Sequence, residues 1–181
     1  MRIISGKYKG RRLDLPKNFK ARPTTDFAKE NLFNVLNNMI DWEGKSALDL
    51  FGGTGSISLE LVSRGCLPVI CIEKDSLNYS FIGKMKTVLK AEELSVLNMD
   101  VFRYISFCKE KFDIIFADPP YDLKFLSDVP HLVLEKGLLK DGGIFIMEHS
   151  KDYDFSNLPL FVEKRVYGSV NFSMFINNRD K

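Results

Sequence analysis

Several things that would settle the class of this 181-residue chain at once are scarce in it. It has three cysteines, Cys66, Cys71 and Cys108, odd in number, widely spaced and set in apolar runs. They cannot build a disulfide framework and read as reduced core thiols of a cytoplasmic protein. The two histidines, His131 and His149, stand at metal-ligand spacing neither from a cysteine nor from each other, so no metal is expected. No stretch approaches the roughly 20 apolar residues of a membrane helix. Met1-Arg-Ile-Ile-Ser-Gly-Lys7 lacks the apolar centre of about 7 residues that a secretory signal needs. Internal repeats and low-complexity tracts are missing as well. What remains is a composition, 45% hydrophobic and 28% charged, suited to one globular domain with a full core.

Negative charge is scarce in one place. Among residues 1–22, Asp14 alone faces Arg2, Lys7, Lys9, Arg11, Arg12, Lys17, Lys20 and Arg22, so this segment carries 8 − 1 = +7. The whole chain carries +2, which leaves 2 − 7 = −5 for residues 23–181. A basic end on an acidic body is an electrostatic footprint for a polyanion. The chain therefore divides into a small basic β extension over 1–22, for RNA contact, and a domain over 23–181. In the extension, two short strands flank a Gly-rich bend, and Lys7, Tyr8, Lys9, Arg11 and Arg12 are the candidate RNA-binding residues. Tyr8 sits amid the charges, placed to pack or to stack on a base.

Downstream, β and α patterns alternate. Ala28, Leu32, Val35, Leu36 and Met39 share one helix face, capped by Thr25 or Asp26 and ended by Asp41-Trp42-Glu-Gly44. Ser46 to Phe51 reads as a strand, Gly52-Gly-Thr-Gly55 as a turn, and Ser56 to Arg64 as a helix stopped by Gly65. A second strand, Pro68 to Glu73, ends on an acid 73 − 55 = 18 residues past the last glycine. That spacing suits a carboxylate that accepts from both hydroxyls of a ribose. Dehydrogenases share this pattern, so the unit alone does not name its cofactor. The third glycine that a dehydrogenase would place at 58 is absent, and Ser58 stands there.

Ser76 is expected to cap a helix carrying Leu77, Phe81, Met85 and Leu89 on its core face. Leu94 to Leu97 is a third strand. Asp100 then either accepts from an adenine amine or caps a helix over Val101 to Lys109. The fourth strand, Phe112 to Ala117, is almost wholly apolar, as suits a strand buried on both faces. It stops at Asp118-Pro-Pro-Tyr121, where two prolines force the chain out of the sheet. A helix near Leu123 to Lys136, a strand from Gly142 to Glu148, and an antiparallel hairpin, Leu160–Tyr167 with Ser169–Asn177, complete the chain. The order implies a doubly wound, mostly parallel α/β sheet of Rossmann type. In such sheets ligands lie beyond the carboxyl ends of the strands. Asp118 and the Pro119 carbonyl offer two acceptors there for an amine with two N–H bonds, and Tyr121 offers a ring for a flat heterocycle. The same residues also suit a plain turn with a helix cap.

Asp49-Leu-Phe-Gly-Gly-Thr-Gly55, Glu73, Asp100 and Asp118-Pro-Pro-Tyr121 resemble the motif set of class I S-adenosylmethionine-dependent amino-methyltransferases. Gly6-Lys-Tyr-Lys-Gly-Arg11, Arg22-Pro-Thr-Thr-Asp26 with Glu30 and Phe33-Asn34, Ser63-Arg-Gly65 and Glu148-His-Ser150 are similar to the bacterial RsmD family in particular. That family methylates guanine N2 in 16S ribosomal RNA. Gly52 and Thr54 depart from the alanine and serine usual at those places in its glycine-rich loop. The resemblance implies S-adenosylmethionine as cofactor, held by Asp49, Phe51, Gly52, Gly53, Gly55, Glu73 and Asp100, with Arg22 and Thr24. It implies Asp118, Pro119 and Tyr121 as the catalytic set. A monomer acting on small-subunit ribosomal RNA, or on the assembling small subunit, is expected. Other readings of the same residues are methylation of adenine N6, cytosine N4 or a protein glutamine, and an RNA-interaction protein that binds the cofactor with little catalysis.

Overall fold

The computed structural model describes residues 1–17, 19 and 25–178. The apolar runs and their breaks build, among the described residues, α1 (Asp26–Leu36), β1 (Ala47–Asp49), α2 (Ser56–Ser63), β2 (Val69–Glu73), α3 (Ser76–Leu89), β3 (Leu94–Asn98), α4 (Val101–Phe107), β4 (Phe112–Ala117), α5 (Asp128–Glu135), β5 (Leu139–His149), β6 (Phe161–Tyr167) and β7 (Val170–Ile176). One sheet results, in the order β3-β2-β1-β4-β5-β7-β6. The first five strands in that order are parallel, while β7 runs antiparallel to β5 and to β6. The expected α/β class and closing hairpin are present. The order reverses beside β1, which has β2 on one side and β4 on the other, and this is where a doubly wound sheet opens its crevice. None of the described helices is long and apolar enough to cross a membrane.

Strand alternation divides the core between two faces. Ala47, Cys71, Ile114, Phe116, Ile144 and Ile146 pack with Ala28, Leu32, Phe33 and Leu36 of α1, and with α2 and α3. Leu48, Ile72, Ile115, Phe145 and Met147 pack on the other face with Tyr104, Ile105, Val129 and Val133 of α4 and α5. Ile3 and Leu13 of the basic segment belong to the first of these cores. That segment is a narrow turn-back rather than two strands: one antiparallel bridge joins Arg2 and Arg12, and the Ile3 N–H donates to the Arg11 carbonyl at 3.0 Å.

Three helices differ from expectation at their ends. α1 is capped by the Thr25 hydroxyl and stops at Leu36, leaving Met39 exposed; beyond it the Asn38 and Met39 amides turn back to the Val35 and Leu36 carbonyls at 3.1 and 2.9 Å, only three residues away. Asp75, one residue before Ser76, caps α3: its Oδ1 accepts from the Leu77 and Asn78 amides at 2.9 and 3.0 Å. Leu77 is then in the first turn and 73% exposed. α5 begins at Asp128, not near Leu123. Pro130 is the reason: proline is tolerated in a helix's first turn and breaks it further in, so Leu123 to Ser127 form turns instead.

Candidate active site

Period two decides which way the acids of the carboxyl edge point. Ala47, Cys71 and Ile146 face the first core, so Asp49, Glu73 and Glu148, two residues on, share that face at the sheet's rim. Asp118 leaves β4 among them, near enough for its charge to act on Asp49 and Tyr121. Asp49 is 1% exposed; its Oδ2 accepts from the Ser58 hydroxyl at 2.6 Å, whereas its Oδ1 has no hydrogen-bond partner among the described residues. Burial pushes its carboxyl up to about 7, with the Ser58 hydrogen bond pulling back and the charge of Asp118 adding to the rise. Glu73 spans the glycine turn, accepting from the Gly53 amide at 2.6 Å and the Asp75 amide at 2.7 Å. Burial raises its carboxyl too, against the pull of those amides. Gly52 allows the turn to lie against β2 and α3: a Cβ there would meet Cys71 Sγ at 2.5 Å and Ile82 Cδ1 at 3.0 Å. The half-buried Phe51 packs on the second core.

These groups fit S-adenosylmethionine by the chemistry of their atoms. A buried carboxylate oxygen with no partner among the described residues suits an ammonium. A carboxylate at the tip of β2 suits paired hydroxyls. Asp100 caps α4, accepting from the Phe102 and Arg103 amides at 3.0 and 3.2 Å, and its Oδ2 takes a hydrogen bond from Lys74 at 3.2 Å. Partial burial opposes these donors, yet they hold its carboxyl below the ordinary range. Arg22 and Thr24 lie outside the described residues.

At the tip of β4, Asp118 is half-buried, Pro119 buried, and Pro120 and Tyr121 exposed. The Tyr121 hydroxyl donates to Glu148 Oε1 at 3.2 Å, which fixes the ring while leaving it 46% exposed. Burial, then the charges of Glu148 and Asp118, push the phenol above its ordinary pKa, so it remains a donor. His149, on the opposite face, is fully buried. Its Nδ1 lies 2.7 Å from the Ser150 carbonyl, which can only accept, so the proton sits on Nδ1 and Nε2 accepts from the Ser173 hydroxyl at 2.8 Å. Burial lowers its pKa and keeps it neutral. It ties β5 to β7.

Residues 1–176 match the family model described as Conserved hypothetical protein 95. The chain belongs to the RsmD family of methyltransferases. A Haemophilus influenzae relative, ribosomal RNA small subunit methyltransferase D, is 30% identical over 184 residues, covering 98% of this chain and 94% of its own length. The Escherichia coli protein yhhF has a solved structure that superposes with a TM-score of 0.86 at 28% identity, over 99% of each chain. A Thermus thermophilus 16S rRNA N2 methyltransferase solved with AdoMet and guanosine shares the fold at a TM-score of 0.71 and 18% identity, over 91% of this chain and 46% of that one.

In this RsmD-family chain the basic segment is bolted to α2. The Ile4 and Ser5 amides donate to Glu60 Oε2 and Oε1 at 2.8 and 3.0 Å, and the Lys7 amide donates to the Ser63 carbonyl at 2.7 Å. Glu60 is fully buried and also pairs with Arg64 at 2.9 Å and with Lys29 at 3.7 Å. Lys29, fully buried as well, donates to the Arg2 carbonyl at 2.7 Å and the Ser56 hydroxyl at 2.8 Å. Burial lowers its pKa against the charge of Glu60. Of the candidate RNA contacts, Lys7, Lys9, Arg11 and Arg12 are exposed, and Lys7 also pairs with Glu93 and lies over the ring of Tyr8. Tyr8 itself packs on the first core. Ser63 ends α2 and Glu93 precedes β3, so the tip of the segment points away from the carboxylate rim. Sequence reading missed the Lys29–Glu60 pair, since both look like ordinary surface charges. Glu148 received no role, although Ile144-Phe-Ile-Met-Glu148 alternates and places it on the face of Asp49.

Proposed function

We propose that this chain methylates the exocyclic N2 amine of a guanine in 16S ribosomal RNA, naked or within the assembling small subunit. S-adenosylmethionine is its methyl donor and, when bound, supplies an activated methyl group on a sulfonium. Asp49 would take the cofactor's ammonium, Glu73 its ribose hydroxyls and Asp100 its adenine amine, with Gly52, Gly53, Gly55 and Phe51 forming the bed. The observation that carries the amine reading is the half-buried Asp118 on a turn stiffened by two prolines, one strand away from Asp49. The lone pair of a base's exocyclic amine is delocalised into the ring, so the nitrogen is a poor nucleophile. Accepting its two N–H bonds at Asp118 and at the Pro119 carbonyl draws that lone pair out of conjugation. Asp118 then takes the proton released on transfer, a general-base contribution of roughly 10²–10⁴-fold. Fixing donor and acceptor in line supplies much of the remainder. The base must leave its stack to reach this rim, and the exposed face of Tyr121 is placed to receive it. The test is mass analysis of nucleosides from small-subunit RNA of cells with and without the gene. N2-methylguanosine should be lower by one residue per RNA in cells lacking it, and Asp118→Ala should not restore it. Loss of a methylated adenine or cytosine instead would overturn the assignment.

A further inference from the structure

Glu148 is 4% exposed at the carboxyl end of β5, on the strand adjoining β4. The register pairs Ala117 with Met147, so Asp118 and Glu148 come level at the rim. On its other side Glu148 is level with Phe172 of the buried β7, and the Tyr121 hydroxyl holds one of its oxygens. As a carboxylate, Glu148 presents oxygens that accept and no N–H that donates. We propose that Glu148 selects guanine by accepting the N1–H of the base whose N2 amine lies at Asp118. This inference rests on the guanine-N2 reading above and adds what Asp118 cannot provide. Every exocyclic amine offers two N–H bonds, so an amine clamp alone does not tell bases apart. Guanine alone flanks its amine with a ring N–H. Adenine N6 is flanked by the N1 lone pair and cytosine N4 by the N3 lone pair, and an acceptor-only neighbour repels both.

2-Aminopurine separates the roles, because it keeps the 2-amine and replaces N1–H by a lone pair. Small-subunit particles are reconstituted on RNA carrying either base at the position mapped by mass analysis, and methyl transfer is measured on each. The native chain should prefer guanine by about 10- to 100-fold in kcat/KM, the range for one hydrogen bond to a charged group. Glu148→Gln can present an N–H to the lone pair of 2-aminopurine, so the preference should shrink to about threefold or less. Calorimetric affinity for S-adenosylmethionine should be unchanged. Glu148→Asp remains acceptor-only and should keep the guanine preference at a lower rate. A Gln variant slowed equally on both bases, or an Asp variant without preference, would assign Glu148 a purely structural role. Equal use of both bases by the native chain would overturn the inference while leaving guanine-N2 methylation standing. Transfer to neither base would overturn that reading first and this one with it.

Discussion

Asp49 carries the sharpest pH signature in the molecule. The folded chain holds its proton up to about pH 7, the unfolded chain only to about 3.9. Between those values the folded state binds more protons, so this group's contribution to stability is complete below about pH 4 and is lost as pH rises towards 7. Asp49→Asn should flatten that part of the curve relative to the native chain, as thermal midpoints at pH 4.5 and 7.5 would record. An ammonium at Oδ1 favours the ionised form. Calorimetry near pH 6.5 in two buffers should therefore show net proton release on S-adenosylmethionine binding, and the Asn variant none. Glu73→Ala should weaken the same binding by about 1.5–3 kcal/mol, the loss expected for hydrogen bonds to a charged group. NAD should not bind. Asp118→Ala should leave cofactor affinity intact and slow single-turnover transfer at least about 10²-fold; near-normal turnover would sink the amine clamp. Tyr121→Ala should cost about 1–3 kcal/mol of base binding, while Tyr121→Phe keeps the stacking face. Glu73 and Asp118 were legible in the sequence because each stands where an apolar strand ends, whereas Asp49 lies within its run and only the family resemblance marked it. Glu148 also ends its apolar run, but a strand-end acid alone does not say what it accepts.

The basic segment, legible as charge, was illegible as structure. Its side chains advertise solvent, but its order comes from backbone amides meeting Glu60 and Ser63, and no periodicity encodes that. Gly6 shows how close the fit is. Its φ is +82°, and a Cβ would fall 1.7 Å from the Ser63 carbonyl oxygen. Gly6→Ala should destabilise by at least about 1–3 kcal/mol through strain alone, read as a lower denaturant midpoint at unchanged slope. Lys29→Met keeps the apolar stem and removes the ammonium from two hydrogen bonds and the Glu60 pair. A loss near the low end of 3–5 kcal/mol follows, because Arg64 still faces Glu60. An unchanged midpoint in Lys29→Met would show that the pair does not anchor the segment. The helices illustrate the same limit. Their apolar stripes were readable, while their ends were set by the Asp75 cap, the three-residue turns after Leu36 and the fixed backbone of Pro130.

For the molecule as a whole, the alternation of elements was enough to give the doubly wound sheet, since short apolar runs between helical stripes admit few other packings. The placement of the hairpin was not, because adjacency in sequence does not tell which of its strands meets β5. Charge is distributed along the length of α2, about 12 Å from carboxylate rim to basic tip. A footprint of that reach suits structured RNA rather than a lone base. Replacing Lys7, Lys9, Arg11 and Arg12 by Ala should lower the salt slope of RNA binding by about 0.7–0.9 per lost phosphate contact. Lys7 should contribute least, as it already pairs with Glu93. An unchanged slope would make the segment a solvated surface. The hairpin has a consequence for how the chain is made. β7, synthesised after the other described strands, lies inside the sheet between β5 and β6 and is buried along nearly its whole length. A nascent chain extending from its amino end has its whole parallel sheet yet holds the edge of β5 bare until Ile176 emerges. A transcript cut short after Tyr167 would thus yield no smaller working enzyme. It would yield a chain with an open apolar edge, ready to pair with its neighbours on the polysome.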